Sequence, residues 1–228
     1  MKKASGLMTV LALFILCALF ATAIAQESKV DTNALVQETQ KMSQAASELT
    51  LIWWIPDEYW QASFAQEQTV TPAQVEEFLK VVRPYTIIVA VDGKIGAFGA
   101  ITYKTQDQIR SSLQFVDGKG NAYRPYTQLD ADITGFLSMM KPVLENMLGP
   151  MGQNMHFFVF PGNGKDGKRL ADPKSDGTFT VKLDERDFRW RLPLGSLLPP
   201  KICPKCKEKL SGAYKYCPYD GTKLPESK

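Results

Sequence analysis

One histidine, four cysteines and almost no net charge set the limits on this chain of 228 residues. As a catalytic base, His156 would need a nucleophile and an orienting acid. The chain has no Gly-x-Ser-x-Gly or similar elbow to supply the first. His156 is therefore read as a structural residue, with a distant metal ligand as the lesser alternative. Cys17 falls in an apolar N-terminal run, which leaves three cysteines in the rest of the chain. An odd number does not build a disulfide framework. The charge balance is as bare. The first 25 residues carry Lys2 and Lys3 and no acid, and beyond them 25 basic and 24 acidic side chains nearly cancel. Such a chain has no electrostatic footprint for nucleic acid. The loop Gly162-Asn163-Gly164-Lys165-Asp166-Gly167-Lys168 does not lead into a helix with Lys-Ser/Thr, so it is not a phosphate-binding loop.

Only the N-terminus offers a long apolar run. Lys2 and Lys3 precede Leu7 to Phe20, and Ala23-Ile24-Ala25 has the small-x-small pattern of a cleavage site. Residues 1–25 are thus expected to be a secretory signal peptide, with export to the periplasm or beyond. The alternative is an uncleaved anchor, because Leu7 to Ala25 carries no charge and nearly matches the ~20 residues of a membrane span. In both readings the two lysines stay inside and the body is outside.

The remainder folds. Hydrophobic residues make up 44% and charged residues 22%, the proportions of an ordinary soluble domain rather than a disordered chain. Residues 26–48 are polar and read as a helical or flexible linker. Residues 49–195 read as an α+β body. Leu51 to Ile55 is a buried strand, and Asp57 is placed as the cap of a short helix carrying Trp60 and Phe64 on one face. Thr71-Pro72-Ala73-Gln74 is a helix start with a capping box, followed by Val75, Phe78, Leu79 and Val82 on one stripe. Asp92-Gly93 reads as a two-residue hairpin turn between Tyr85–Val91 and Ile95–Tyr103. Further hairpins are expected at 113–124 and 178–192, and the longest helix at 132–148, with Pro142 inside it. The fold class that follows is an antiparallel, hairpin-rich sheet or sandwich with helices packed on it. The dense aromatic set Trp53, Trp54, Tyr59 and Trp60 is read as core, with a glycan- or peptide-binding surface as the minority reading. The acids Asp130 and Asp132, and Asp184, Glu185 and Asp187, are assigned to a helix start and a hairpin turn.

Residue type and spacing dictate a chemistry in the last segment, 196–228. Cys203-Pro-Lys-Cys206 is followed after ten residues by Cys217-Pro-Tyr-Asp220-Gly221. Each turn offers two donors at the same spacing, and four donors at tetrahedral angles need two such turns. The metal-ligand set is Cys203, Cys206, Cys217 and Asp220, and the expected ion is zinc. Ser211-Gly212 is placed as a hairpin tip, and Leu210, Tyr214, Tyr216 and Leu224 as the cover of the site. Two alternatives stay open: a disulfide from Cys203 to Cys206 or Cys217, and a thiol–disulfide redox pair at Cys203 and Cys206.

This segment resembles the short bacterial zinc ribbons, whose pattern is Cys-Pro-x-Cys, ten residues, Cys-Pro-x-Cys-Gly. Three of four cysteines, both prolines, the spacing and the closing Gly221-x-x-Leu224 agree, and Asp220 stands where the fourth cysteine would be. The resemblance implies a zinc-ribbon-like module that serves for recognition or as a structural staple. The body, with Trp53-Trp54, the 149–154 segment and Trp190-Arg191-Leu192-Pro193-Leu194, resembles exported bacterial proteins that carry no activity over to it. The expected function is a non-enzymatic envelope binding protein with a protein or envelope partner. A thiol–disulfide oxidoreductase, or a hydrolase of another type, is the competing class. N-terminal sequencing of the exported chain is expected to begin at Gln26, whereas an intact Met1 would mark the anchor.

Overall fold

The computed structural model describes residues 30–43, 45–67 and 69–226. The signal peptide expected at 1–25 lies outside the described residues. Among these, the elements in chain order are α1 (Thr32–Thr39), β1 (Gln40–Met42), β2 (Glu48–Ile55), α2 (Asp57–Phe64) and α3 (Pro72–Val82). There follow β3 (Tyr85–Ile95), β4 (Ile101–Tyr103), α4 (Gln106–Ser112), β5 (Gln114–Val116), β6 (Ala122–Tyr123) and α5 (Ala131–Leu148). The chain then forms β7 (His156–Pro161), β8 (Gly177–Leu183), β9 (Arg186–Leu192), β10 (Lys201–Ile202) and β11 (Lys209–Leu210). The protein is α+β, with antiparallel sheets and, among the described residues, five α-helices.

The main sheet has the order β1-β2-β3, and two strands share the far edge of β3. β7 pairs with Tyr85–Ala90 and β4 with Gly93–Ile95. A second sheet has the order β6-β5-β8-β9. Residues directly opposite in an antiparallel pair share a face, so register assigns the layers. Trp54 lies opposite Ile88, and Ile88 opposite Phe158. This face meets the second sheet: Trp54 packs edge-on to Phe179 at 4.8 Å, and Phe160 meets Phe115 at 5.9 Å. Trp53 and Val89 form the other face, where Trp53 meets Tyr59 of α2 at 5.5 Å and Trp60 meets Phe136 of α5 at 5.1 Å. The main sheet is thus sandwiched between a helical layer and a second sheet. Trp53, Trp54, Tyr59 and Trp60 are 0–6% exposed, so the idea of an aromatic binding surface at these residues is dropped.

Local chemistry explains most element boundaries. Thr71 and Gln74 close the capping box at α3, and Thr105 and Gln108 close a second one at α4. Each cap contributes about 1 kcal/mol. At α2 the N-cap is Pro56, and Asp57 sits inside the first turn, contrary to the expected cap. There its carboxylate meets Arg169 and Arg83. The segment read as a linker contains α1 and the edge strand β1. Leu35 is fully buried, and Thr39 accepts a hydrogen bond from the indole Nε1 of Trp53 at 3.1 Å.

Asp92-Gly93 is not a turn. It continues β3, and the chain reverses at residues 97–100 instead. Gly93 fits because a Cβ there would meet Ile101 and Tyr103 at 3.0 Å. Asp92 is 3% exposed and held from several sides. Thr50 donates to it at 2.7 Å, Lys104 at 2.8 Å, and Arg186 donates two bonds at 3.0 and 2.8 Å. Arg186 also reaches Glu48 and Asp184. Burial pushes the Asp92 carboxyl up, but the bonds from Arg186, Lys104 and Thr50 outweigh it and hold the carboxyl below its usual range.

A carboxyl with a depressed folded pKa adds stability that is present above its unfolded value, about 4, and is lost as pH falls through the folded value. Asp92→Ala leaves Arg186 and Lys104 facing an empty place and is expected to cost about 3 kcal/mol. Urea unfolding at neutral pH measures the loss. The gap between the two proteins should close as the pH is lowered through the acid range.

Candidate metal centre

The last 26 described residues, 201–226, contain the same ten-residue unit twice. Lys201-Ile-Cys-Pro-Lys-Cys-Lys-Glu-Lys-Leu210 and Lys215-Tyr-Cys-Pro-Tyr-Asp-Gly-Thr-Lys-Leu224 agree at the first and ninth positions, both lysine, and at the first cysteine, the proline and the leucine. The backbone repeats with the sequence. In the first unit Lys201 pairs with Leu210 and Ile202 with Lys209. In the second Tyr216 pairs with Lys223, and the amide of Leu224 donates to the carbonyl of Lys215.

Each unit is a tight knuckle. The amide of Cys203 donates to Glu208 and its carbonyl accepts from Lys207. The amide of Cys217 donates to Thr222 and its carbonyl accepts from Gly221. The fifth position of each knuckle has a positive φ, 64° at Lys207 and 70° at Gly221. Gly221 is the residue best suited to that conformation, and Lys207 adopts it against its Cβ.

The knuckles bring the four expected donors together. One ligand atom each from Cys203, Cys206, Cys217 and Asp220 lies within 4.8 Å of all the others. The Sγ atoms of Cys206 and Cys217 are 3.6 Å apart, and the Cys203 Sγ lies 3.5 Å from the nearer Asp220 oxygen. A tetrahedral ion with metal–sulfur bonds of about 2.3 Å needs sulfur–sulfur edges of about 3.8 Å. The two short separations lie close to such an edge, so the donor set is compatible with a tetrahedral ion. A sulfur–sulfur separation of 3.6 Å is a non-bonded contact, far beyond the ~2.05 Å of a disulfide.

Backbone amides prepare the site for negative charge. Burial pushes the Cys203 thiol up, but the amides of Cys206 and Lys205 outweigh it and bring it below its usual value. The amide of Glu208 draws Cys206 down. Burial and the neighbouring Cys203, Cys217 and Asp220 prevail and push it up to about 12. Asp220 is held well below the carboxylate range, first by the amide of Thr222, which donates to its Oδ1 at 2.9 Å. Four acidic donors this close cannot all be ionised without a cation among them.

The cover of the site matches expectation in its leucines and departs from it in its tyrosines. Leu210 and Leu224, at equivalent positions, are buried with Cys203 and Cys217 in a core of four residues. Tyr214 and Tyr216 point outward and are exposed. Ser211-Gly212 links the two hairpins, with Gly212 lying against Leu198 and Pro199; the tip of the first hairpin is the knuckle itself.

The remaining candidates separate from this centre. His156 begins β7, half-buried, and burial lowers its pKa, with Lys141 adding to the effect. Asp130 is the N-cap residue of α5 and accepts from the Tyr85 hydroxyl at 2.7 Å. Asp184 forms the β8–β9 turn at φ 52° and pairs with Lys104 and Arg186. The glycine-rich loop lines a cleft of about 490 Å³ with the Asp117 turn, and there Lys119 pairs with Asp166.

No family model, curated protein or solved structure matches this chain. Lys207→Gly removes a Cβ from a left-handed position and is expected to stabilise the tail by about 1 kcal/mol. Slower amide exchange at Cys203 and Lys207, relative to the native chain, measures the gain.

Proposed function

We propose that the segment 196–228 is a zinc ribbon and that Cys203, Cys206, Cys217 and Asp220 hold one zinc ion. The observation that carries this reading is the doubled knuckle, which brings three sulfurs and one carboxylate within 4.8 Å of one another. Zinc suits a closed, thiolate-rich, four-coordinate site, and it accepts a carboxylate as the fourth ligand. The metal acts as a staple, because a core of Cys203, Leu210, Cys217 and Leu224 is too small to hold a module of this size by itself.

The chain as a whole is, in this reading, an exported, non-enzymatic envelope protein. Its α+β body carries the ribbon and presents it to a partner. No helix among the described residues is long and apolar enough to cross a membrane. The reading of export rests on the N-terminal sequence alone.

The test is metal analysis of the full chain purified without chelator. One zinc per chain is expected. Cys203→Ser should lower zinc affinity by more than the roughly tenfold that outer-shell changes cost, and Asp220→Cys should raise it. Chelation should expose residues 196–226 to protease while the body resists. A tail that stays resistant after both chelator and reductant would sink the staple. Reduction of a small disulfide by Cys203 and Cys206 would replace the ribbon with an oxidoreductase.

A further inference from the structure

The two tail hairpins leave apolar side chains in water that their four-residue core does not take up. Ile202 and Tyr216 occupy equivalent positions in the repeat and are 51% and 61% exposed. Tyr219, in the turn of the second knuckle, is 74% exposed. Each hairpin sets an ammonium beside its apolar residue. Ile202 lies opposite Lys209, and Tyr216 opposite Lys223. Directly opposed residues project from the same side of a hairpin. One unit, an apolar side chain next to a lysine, is therefore presented twice. Lys205 stands in the first knuckle at the place of Tyr219 in the second.

The charge around these pairs is one-sided. From Ser196 onward the sequence has seven lysines and three acids, and one of the acids, Asp220, belongs to the donor cluster. The stretch from Gln26 to Gly195 carries a net charge of −3. The molecule is thus electrically polar, with its positive end at the ribbon.

We propose that the ribbon docks on an anionic lipid surface. The inference rests on the folded, metal-held module of the preceding reading and names its partner. Tyrosine rings settle at the level of lipid headgroups, and lysines lay their methylenes along apolar surface while the ammonium meets phosphate. The lysines are spread over both hairpins, which suits a continuous plane of negative charge better than a single acidic spot on a protein. The negative body turns the positive end toward that plane.

The experiment uses the full chain, with zinc content measured on the same sample. It is sedimented with vesicles of phosphatidylcholine containing phosphatidylglycerol, and with vesicles of phosphatidylcholine alone. Binding is expected to the anionic vesicles only and should weaken as salt rises. Lys209→Gln and Lys223→Gln should each weaken it about fivefold. Ile202→Ser with Tyr216→Ser should weaken it further at unchanged zinc content, and Lys80→Gln on the body should leave it unchanged. A zinc-loaded chain that ignores both vesicles overturns the proposal and leaves the metal reading intact. A zinc-free chain that still binds anionic vesicles overturns the metal reading alone. Equal binding to both vesicles, or capture by polyglutamate in preference to vesicles, overturns the lipid surface, the latter in favour of an acidic protein.

Discussion

Strand β3 has neither a free edge nor a free face along Ile87–Ala90. β2 occupies one edge, β7 the other, the helices cover one face and the second sheet covers the opposite one. The other layers are arranged around this constraint. An amide in such a strand finds no water, so every backbone group is paired within the sheet. Beyond that stretch, at Asp92, the strand carries a buried acid that must be matched by bases brought in from elsewhere. Asp92 meets Arg186 from the second sheet and Lys104 from the end of β4, so one carboxylate ties two sheets together. Burial makes this tie strong, because the alternative to pairing is an isolated charge in a medium that solvates it poorly.

The sequence was legible where the signal was local. Thr71-Pro72-Ala73-Gln74 states its own hydrogen bonds, and α3 starts there. The stripe of α5 and the hairpins at 113–124 and 178–192 could be read from period and turn residues. Asp92-Gly93 was misread because its dipeptide has turn chemistry, while the deciding partners, Thr50 and Arg186, are 42 and 94 residues away. Leu35 lies in a polar stretch. The seven-residue spacing of Leu35, Met42 and Leu49 suggests one longer amphipathic helix, but the helix ends at Thr39, and Leu35 is wholly buried while Met42 is exposed. At the candidate metal centre the four donors were readable from spacing alone. Leu210 and Leu224 were readable as cover as well, but the full repeat, Lys-x-Cys-Pro-x-(Cys/Asp)-x-x-Lys-Leu occurring twice, is masked by the differing residues at its other positions. Those leucines are the ones that share the small core with Cys203 and Cys217.

The body and the tail solve the same problem by different means. The body buries a continuous aromatic and aliphatic core, where Phe179 stacks between Phe115 and Trp190 at 4.9 Å on each side. Such contacts add about 1 kcal/mol each to the burial of the rings themselves. The described tail has a core of four residues, Cys203, Leu210, Cys217 and Leu224, so apolar area contributes little to its cohesion. The difference follows from surface-to-volume scaling. A short segment cannot hide enough of itself to offset the entropy of ordering its chain.

The root of the tail is gripped by the first helix. Glu38, on α1, accepts the amides of Gly195 and Ser196 at 3.0 and 2.9 Å and the Ser196 hydroxyl at 2.5 Å. A pull on the C-terminus is therefore carried along two paths at once. One is covalent, through β9 into the second sheet. The other runs through a carboxylate clamp into α1 and β1, the margin of the main sheet. Two anchorages fix a bearing where one would leave a pivot, so the tail is steered by the body rather than trailing from it.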